Sequence, residues 1–151
     1  FRRVLLRSMT GWRVGWVAGP EDLIKAITEV QQYTFVCAPS AAQEAALTAM
    51  EIDRSDVRDQ YRRRRDIIYE GLINAGYTVS KPGGAFYIFP EAPNGDGDKF
   101  VLEAIENNVL VVPGSVFSEK NTNFRISFAT TEEKLKAGVE VLGRLAEKMG
   151  V

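Results

Sequence analysis

Two arginines stand where chemistry could be done. Arg125 lies in Asn123-Phe124-Arg125-Ile126-Ser127-Phe128-Ala129. The alternation puts Phe124, Ile126 and Phe128 on one face of a strand and Arg125, Ser127 and Ala129 on the other. The apolar face must pack, with the last helix as its natural partner, so Arg125 projects from a rigid support. A guanidinium held this way suits a bidentate grip on a carboxylate. Exposed arginines are common, and the pattern alone favours a solvent-facing side chain. Arg13 lies in Met9-Thr10-Gly11-Trp12-Arg13-Val14-Gly15. Arginine with free backbone N–H groups among small residues would suit a phosphate. A surface arginine beside a core tryptophan accounts for the same residues equally well. In Pro82-Gly83-Gly84-Ala85-Phe86-Tyr87-Ile88-Phe89, small residues around Gly84 lead into an apolar strand. They would let a ligand or another backbone approach closely, or simply turn the chain.

Other chemistries are excluded by composition. The chain of 151 residues has no histidine and one cysteine. That removes a Ser/His triad, a histidine acid/base and most zinc sites. Chemistry must come from Lys, Arg, Asp, Glu, Ser, Tyr or a cofactor. Cys37 has no internal disulfide partner, so a reducing, cytoplasmic setting is expected. A net charge of −1 argues against a dedicated nucleic-acid binder. The basic run Arg62-Arg63-Arg64-Arg65 sits within an amphipathic helix and fans around its axis. Its expected partners at helical spacing are Asp59 for Arg63 and Asp66 for Arg62, on a solvated face. No apolar run is long enough to span a bilayer.

The elements that must position the arginines follow from periodicity. Residues 12–18 read as a strand, and Gly19-Pro20 opens a helix carrying Leu23, Ile24, Ile27 and Val30. Ser40 and Gln43 form an expected capping box for a helix to about Met50. A long helix from about Asp53 to Ala75 carries Val57, Tyr61, Ile68 and Leu72, with Gly76 as its stop. Short strands are predicted at 77–80, 85–89, 109–112 and 123–129. A helix is predicted at about 98–107, burying Phe100, Val101, Ala104 and Ile105. The last helix is expected to start at Thr130, with Glu133 completing a capping box, and to bury Leu135, Val139, Leu142, Ala146 and Met149. The first strand has no obvious sheet partner before residue 76, which by itself suggests a missing part of a sheet.

Taken together, MTGWRVGWVAGP at 9–20, PSAAQEAA at 39–46, KPGGAFYIF at 81–89, VLVVPGSVF at 109–117 and FRISFA at 124–129 resemble one family. Their order and spacing are similar to the C-terminal portion of the class I/II pyridoxal-phosphate aminotransferases of fold type I. The resemblance implies an α/β protein. Residues 1–52 would be a remnant of the large cofactor-binding domain, and 53–76 a bridging helix. Residues 77–151 would be an α+β small domain with a three- to four-stranded sheet and packed helices. It also implies that Arg13 binds the cofactor phosphate, that Arg125 clamps the substrate α-carboxylate, and that the turn at Gly84 lines the substrate pocket. The cofactor would be pyridoxal 5'-phosphate, the substrates an amino acid and a 2-oxo acid, and the assembly a homodimer.

One position departs from the family. A lysine shortly before the MTGWR-like segment forms the Schiff base there; counting back from Arg13, that position is Leu5. Residues 1–8 hold no lysine, so the chain alone is expected to be an inactive, truncated form. Two alternatives stand beside it: a non-catalytic dimerising or interaction module derived from such an enzyme, and a C–S lyase-type relative.

Overall fold

The computed structural model describes the backbone of residues 2–5 and 10–150, and side chains from Gly11 to Gly150. The chain divides into two compact units, Phe1–Asp56 and Val57–Val151.

In the first unit, β1 (Arg2–Leu5) and β2 (Gly15–Ala18) form an antiparallel pair, with Arg2 opposite Ala18 and Leu5 opposite Gly15. The expectation that the first strand lacks a nearby partner is therefore corrected: residues 2–5 satisfy its ladder. The strand is shorter than 12–18, because Thr10–Trp12 closes a 3-10 turn first. Helices α1 (Glu21–Thr34) and α2 (Ser40–Glu51) follow. Ser40 does not cap α2. The helix starts one residue earlier than a serine cap requires, Pro39 occupies the cap position, and Gln43 instead donates its Nε2 to the Ala38 carbonyl. The core here is small: Val14, Ala42 and Ala46, with Ala38 and Ala49 against them. Helix α1 buries none of its residues, and Tyr33 at its end is 90% exposed.

The second unit is built on α3 (Ser55–Asn74), whose stripe buries Ile68 and Leu72. Its end is a Schellman motif. Gly76 N–H donates to the Ile73 carbonyl and Tyr77 N–H to the Leu72 carbonyl, with Gly76 at φ 86°, the left-handed conformation that glycine adopts without strain. Residues 77–80 form no strand; Thr78 offers one carbonyl to Glu91 N–H, and no ladder forms.

The sheet has three antiparallel strands in the order β3-β5-β4: β3 (Tyr87–Ile88), β4 (Val112–Pro113) and β5 (Phe124–Ser127). The central strand places Tyr87 opposite Ser127, and Val112 opposite Arg125. Helix α4 (Gly97–Glu106) is capped by Asp96, which accepts from Lys99 N–H. It buries Phe100, Val101 and Ala104; Ile105, expected inside, is 47% exposed. Its first residue must be glycine, because a Cβ at Gly97 would strike the Asn123 carbonyl oxygen. That close crossing ties the start of α4 to the chain entering β5.

Helix α5 (Glu132–Met149) is capped by Thr131, accepting from Lys134 N–H, rather than by Thr130. It buries Leu135, Leu142, Leu145 and Ala146, with Val139 and Met149 partly covered. Phe124 packs on Phe100 with centroids 4.4 Å apart, and Tyr77 meets both rings edge-on. The Tyr77 hydroxyl donates to the Leu142 carbonyl at 2.8 Å, and burial pushes its pKa up. No described helix is long and apolar enough to cross a membrane.

Candidate functional site

Arg125 sits on the central strand, on the face opposite Phe124 and Ile126, which are buried in the core. Its guanidinium carbon lies 4.3 Å from the Tyr87 ring centroid and 4.0 Å from that of Phe117. Tyr87 comes from β3 on one side. Phe117 follows the 3-10 turn Gly114–Val116 after β4 on the other side. Among the described residues no carboxylate or carbonyl pairs with Arg125. A half-buried cation with no anion is an electrostatic opening for a carboxylate. The reading of Arg125 as a plain solvent-facing arginine does not describe this side chain.

The approach to β3 is held from α3. Arg65 donates Nε and Nη2 to Asp66 Oδ1 at 3.0 and 2.8 Å, and Lys81 Nζ reaches the same oxygen at 2.8 Å. The Lys81 ammonium also lies 5.1 Å from the Tyr69 ring centroid. These contacts anchor the residue just before the Gly83-Gly84 bend. Gly84 itself is exposed, and a Cβ there would meet open space. Nothing within the chain's own packing demands a glycine at that point. The bend leads within three residues into Tyr87, whose ring meets Arg125.

The Lys81 hydrogen bond is the largest influence holding the Asp66 carboxyl below its ordinary 3.8. The pair therefore stabilises the fold above the unfolded carboxyl's pKa and loses that effect as the pH falls through the lowered value. Asp66→Asn is expected to cost about 0.2–1 kcal/mol at neutral pH, as exposed pairs do. Urea unfolding of both proteins should show this gap closing as the pH falls from about 5 to about 2. A gap that persists unchanged at low pH would show that the carboxylate charge is not its source.

The basic run pairs differently from its expected spacing. Asp59 meets Arg62 at 2.9 Å, Arg63 approaches Glu132 at 3.6 Å, and Asp66 is taken by Arg65 and Lys81. Arg62 and Arg65 find nearer partners on α3 itself, while Arg63 reaches Glu132 on α5 and Asp66 also takes Lys81 from the 81–86 loop. The run lies on α3 in ion pairs and aromatic contacts, as a helix face.

In the first unit, Arg13 is exposed and carries φ 53°, a left-handed conformation in a non-glycine residue. Such outliers are uncommon and cluster at ligand sites. Among the described residues it has no ion-pair partner. These properties fit the phosphate end of pyridoxal phosphate. Residues 1–24 contain no lysine, and Lys25 lies on exposed α1, paired with Glu21 at 2.8 Å. Leu5 lies in β1, and its side chain is outside the described residues, as is Met9. Among the described residues no cluster of His, Cys, Asp and Glu could hold a metal. Cys37 is a free, exposed thiol.

The sandwich of Arg125 was not visible in the sequence. Tyr87 and Phe117 both lie in segments whose apolar character suggested buried strands. Their distance from Arg125 along the chain hides the contact, which depends on the strand order.

Comparison with known proteins gives the frame for these residues. The model of the family "Aminotransferase class I and II" matches residues 7–142. A probable aspartate aminotransferase of Methanocaldococcus jannaschii is 39% identical over 93% of this chain and 40% of its own length. A probable N-acetyl-LL-diaminopimelate aminotransferase of Bacillus subtilis is 40% identical over 89% of this chain and 36% of its own. The crystal structure of an aspartate aminotransferase from Thermotoga maritima superposes with a TM-score of 0.82 at 36% identity, covering 93% of this chain and 37% of that one. The chain thus spans about two fifths of the length of these relatives. With nearly its whole described length matched by both sequence and fold, the chain belongs to the class I and II aminotransferase family.

Proposed function

We propose that these residues perform the C-terminal share of a pyridoxal-phosphate-dependent transamination between an amino acid and a 2-oxo acid. Arg125 receives the substrate carboxylate, the Gly84 bend borders the substrate, and Arg13 holds the cofactor phosphate. Pyridoxal phosphate, the cofactor of this family, supplies an electron sink for chemistry at the α-carbon. The chain's own residues bind and orient; none of them is assigned a proton transfer. With Leu5 at the Schiff-base position, the chain alone binds substrate carboxylates without turning them over. The working assembly is a homodimer in the cytoplasm.

The observation that carries this reading is Arg125, fixed between Tyr87 and Phe117 with no anion among the described residues. Titrating the isotope-labelled chain with 2-oxoglutarate and following backbone amide signals tests it. Saturable shifts confined to β5, the 83–87 segment and the Gly114–Phe117 turn are expected. Shifts elsewhere, or none, would count against it.

A second reading, a non-catalytic self-associating module, draws support from apolar groups exposed in the first unit. Tyr33, Phe35 and Leu47 are all more than half exposed, and such surface favours association. Light scattering on the purified chain separates the readings when combined with the titration: self-association without carboxylate binding favours the module.

A further inference from the structure

We infer that Tyr87 and Phe117 are positioning residues that hold the Arg125 guanidinium between two rings and leave its in-plane N–H edge for an incoming carboxylate. The inference rests on the reading of Arg125 as the carboxylate site and adds how that site is made rigid.

The strand order makes the arrangement. Arg125 is on the central strand; β3 supplies one ring and the turn that follows β4 the other, at 4.3 and 4.0 Å from the guanidinium carbon. Tyr87 lies opposite Ser127, two residues along the same face from Arg125, within diagonal reach of a long side chain. Its ring is backed by Phe86, with centroids 4.2 Å apart. Phe86 in turn is fixed by its carbonyl, which accepts from Phe128 N–H at 3.0 Å.

Phe117 is fixed just as locally. Its N–H donates to the Gly114 carbonyl at 2.8 Å, closing the turn, and Gly114 N–H donates to the Asn123 carbonyl at 2.7 Å. The turn is thereby tied to the chain two residues before Arg125. Both rings are referenced to the strand that carries the guanidinium.

The chemistry follows from the shape of the group. A guanidinium is planar and weakly hydrated, and it attracts aromatic faces. Its hydrogen bonds leave through the edge, in the plane, where a carboxylate accepts two of them. Rings on either side therefore bias the ligand towards edge-on, bidentate approach. A free arginine must freeze many rotamers on binding; here the plane is already set in the fold, which favours affinity by preorganisation.

The test is nuclear magnetic resonance of the Arg125 side chain in the full 151-residue protein, with 2-oxoglutarate as the probe. Wild type is expected to show the Arg125 Hε displaced upfield by ring currents and slow rotation about Nε–Cζ. Phe117→Leu, at an exposed position that folding should tolerate, is expected to relax both signatures, and Phe117→Tyr to keep them. Tyr87→Leu should behave like Phe117→Leu. Affinity for 2-oxoglutarate should fall about three- to tenfold in each leucine variant, on the scale of one cation–π contact.

An Arg125 signal at the position of free arginine in wild type, or unmoved in both leucine variants, would overturn the clamp. Relaxed signatures with unchanged 2-oxoglutarate affinity would overturn its positioning role. Intact signatures with no response of Arg125 to 2-oxoglutarate would leave the clamp standing and remove the carboxylate reading beneath it.

Discussion

Phe124→Ala is expected to remove about 3–5 kcal/mol from the stability of the second unit. Phe124 is completely buried on the central strand, against Phe100 and Tyr77. Deleting its ring opens a cavity among rings that cannot collapse freely, since Tyr77 is pinned to the Leu142 carbonyl. Domains of this kind hold about 5–15 kcal/mol in all, so much of that margin would go. The effect reaches the site, because Arg125 is the next residue and shares the strand's backbone. Urea unfolding followed by circular dichroism gives the number. Leu110→Ala is the control: Leu110 is 86% exposed, and its replacement should stay within about 0.5 kcal/mol. A comparable loss in both proteins would mean that the aromatic cluster is not the core.

Arg125→Ala should do the reverse, sparing the fold and removing ligand binding. Hydrogen bonds to a charged group contribute about 1.5–3 kcal/mol, so carboxylate affinity should drop about 10- to 100-fold. Stability should fall by only about 0.5–1 kcal/mol per lost ring contact at a half-open site. Arg125→Lys should recover part of the affinity, since an ammonium keeps the charge but lacks the fork that accepts a carboxylate in its plane. Isothermal titration with 2-oxoglutarate, paired with thermal melts, measures both. Unchanged affinity in Arg125→Ala would take the carboxylate role away from this residue.

The parts of the fold legible in the sequence are those whose signals are local. Alternation at 123–129 fixed which face of β5 is buried. Helical spacing marked α3, and Gly76 marked its end because the Schellman motif needs φ above zero within two residues of the helix. The caps of α2 and α5 fall one position from the expected residues, at Pro39 and Thr131. Thr130 and Thr131 both sit three residues ahead of a helical position, and only backbone angles choose between them. The strand expected at 77–80 failed because alternation shows that a segment could pair, and no neighbouring ladder reaches it.

The site divides in the same way. Arg125, Arg13 and Gly84 stand out by residue type within short motifs. Tyr87 and Phe117 do not, because their meeting with Arg125 is a consequence of strand order β3-β5-β4. That order is a long-range property which no single motif carries. The Lys81–Asp66 pair is hidden for the same reason: helical spacing points Asp66 to Arg62, and Lys81 reaches it only across the turn that follows α3.

The most direct test of the central proposal, that Arg13 and Arg125 bind phosphate and carboxylate while no lysine of this chain forms the Schiff base, is reductive trapping. The purified chain is mixed with pyridoxal phosphate, reduced with borohydride, weighed by mass spectrometry and mapped by peptide digestion. Substoichiometric labelling scattered over several lysines is expected, with no transfer of an amino group from an added amino acid to 2-oxoglutarate. One pyridoxyl group per chain on a single lysine, together with turnover, would contradict it.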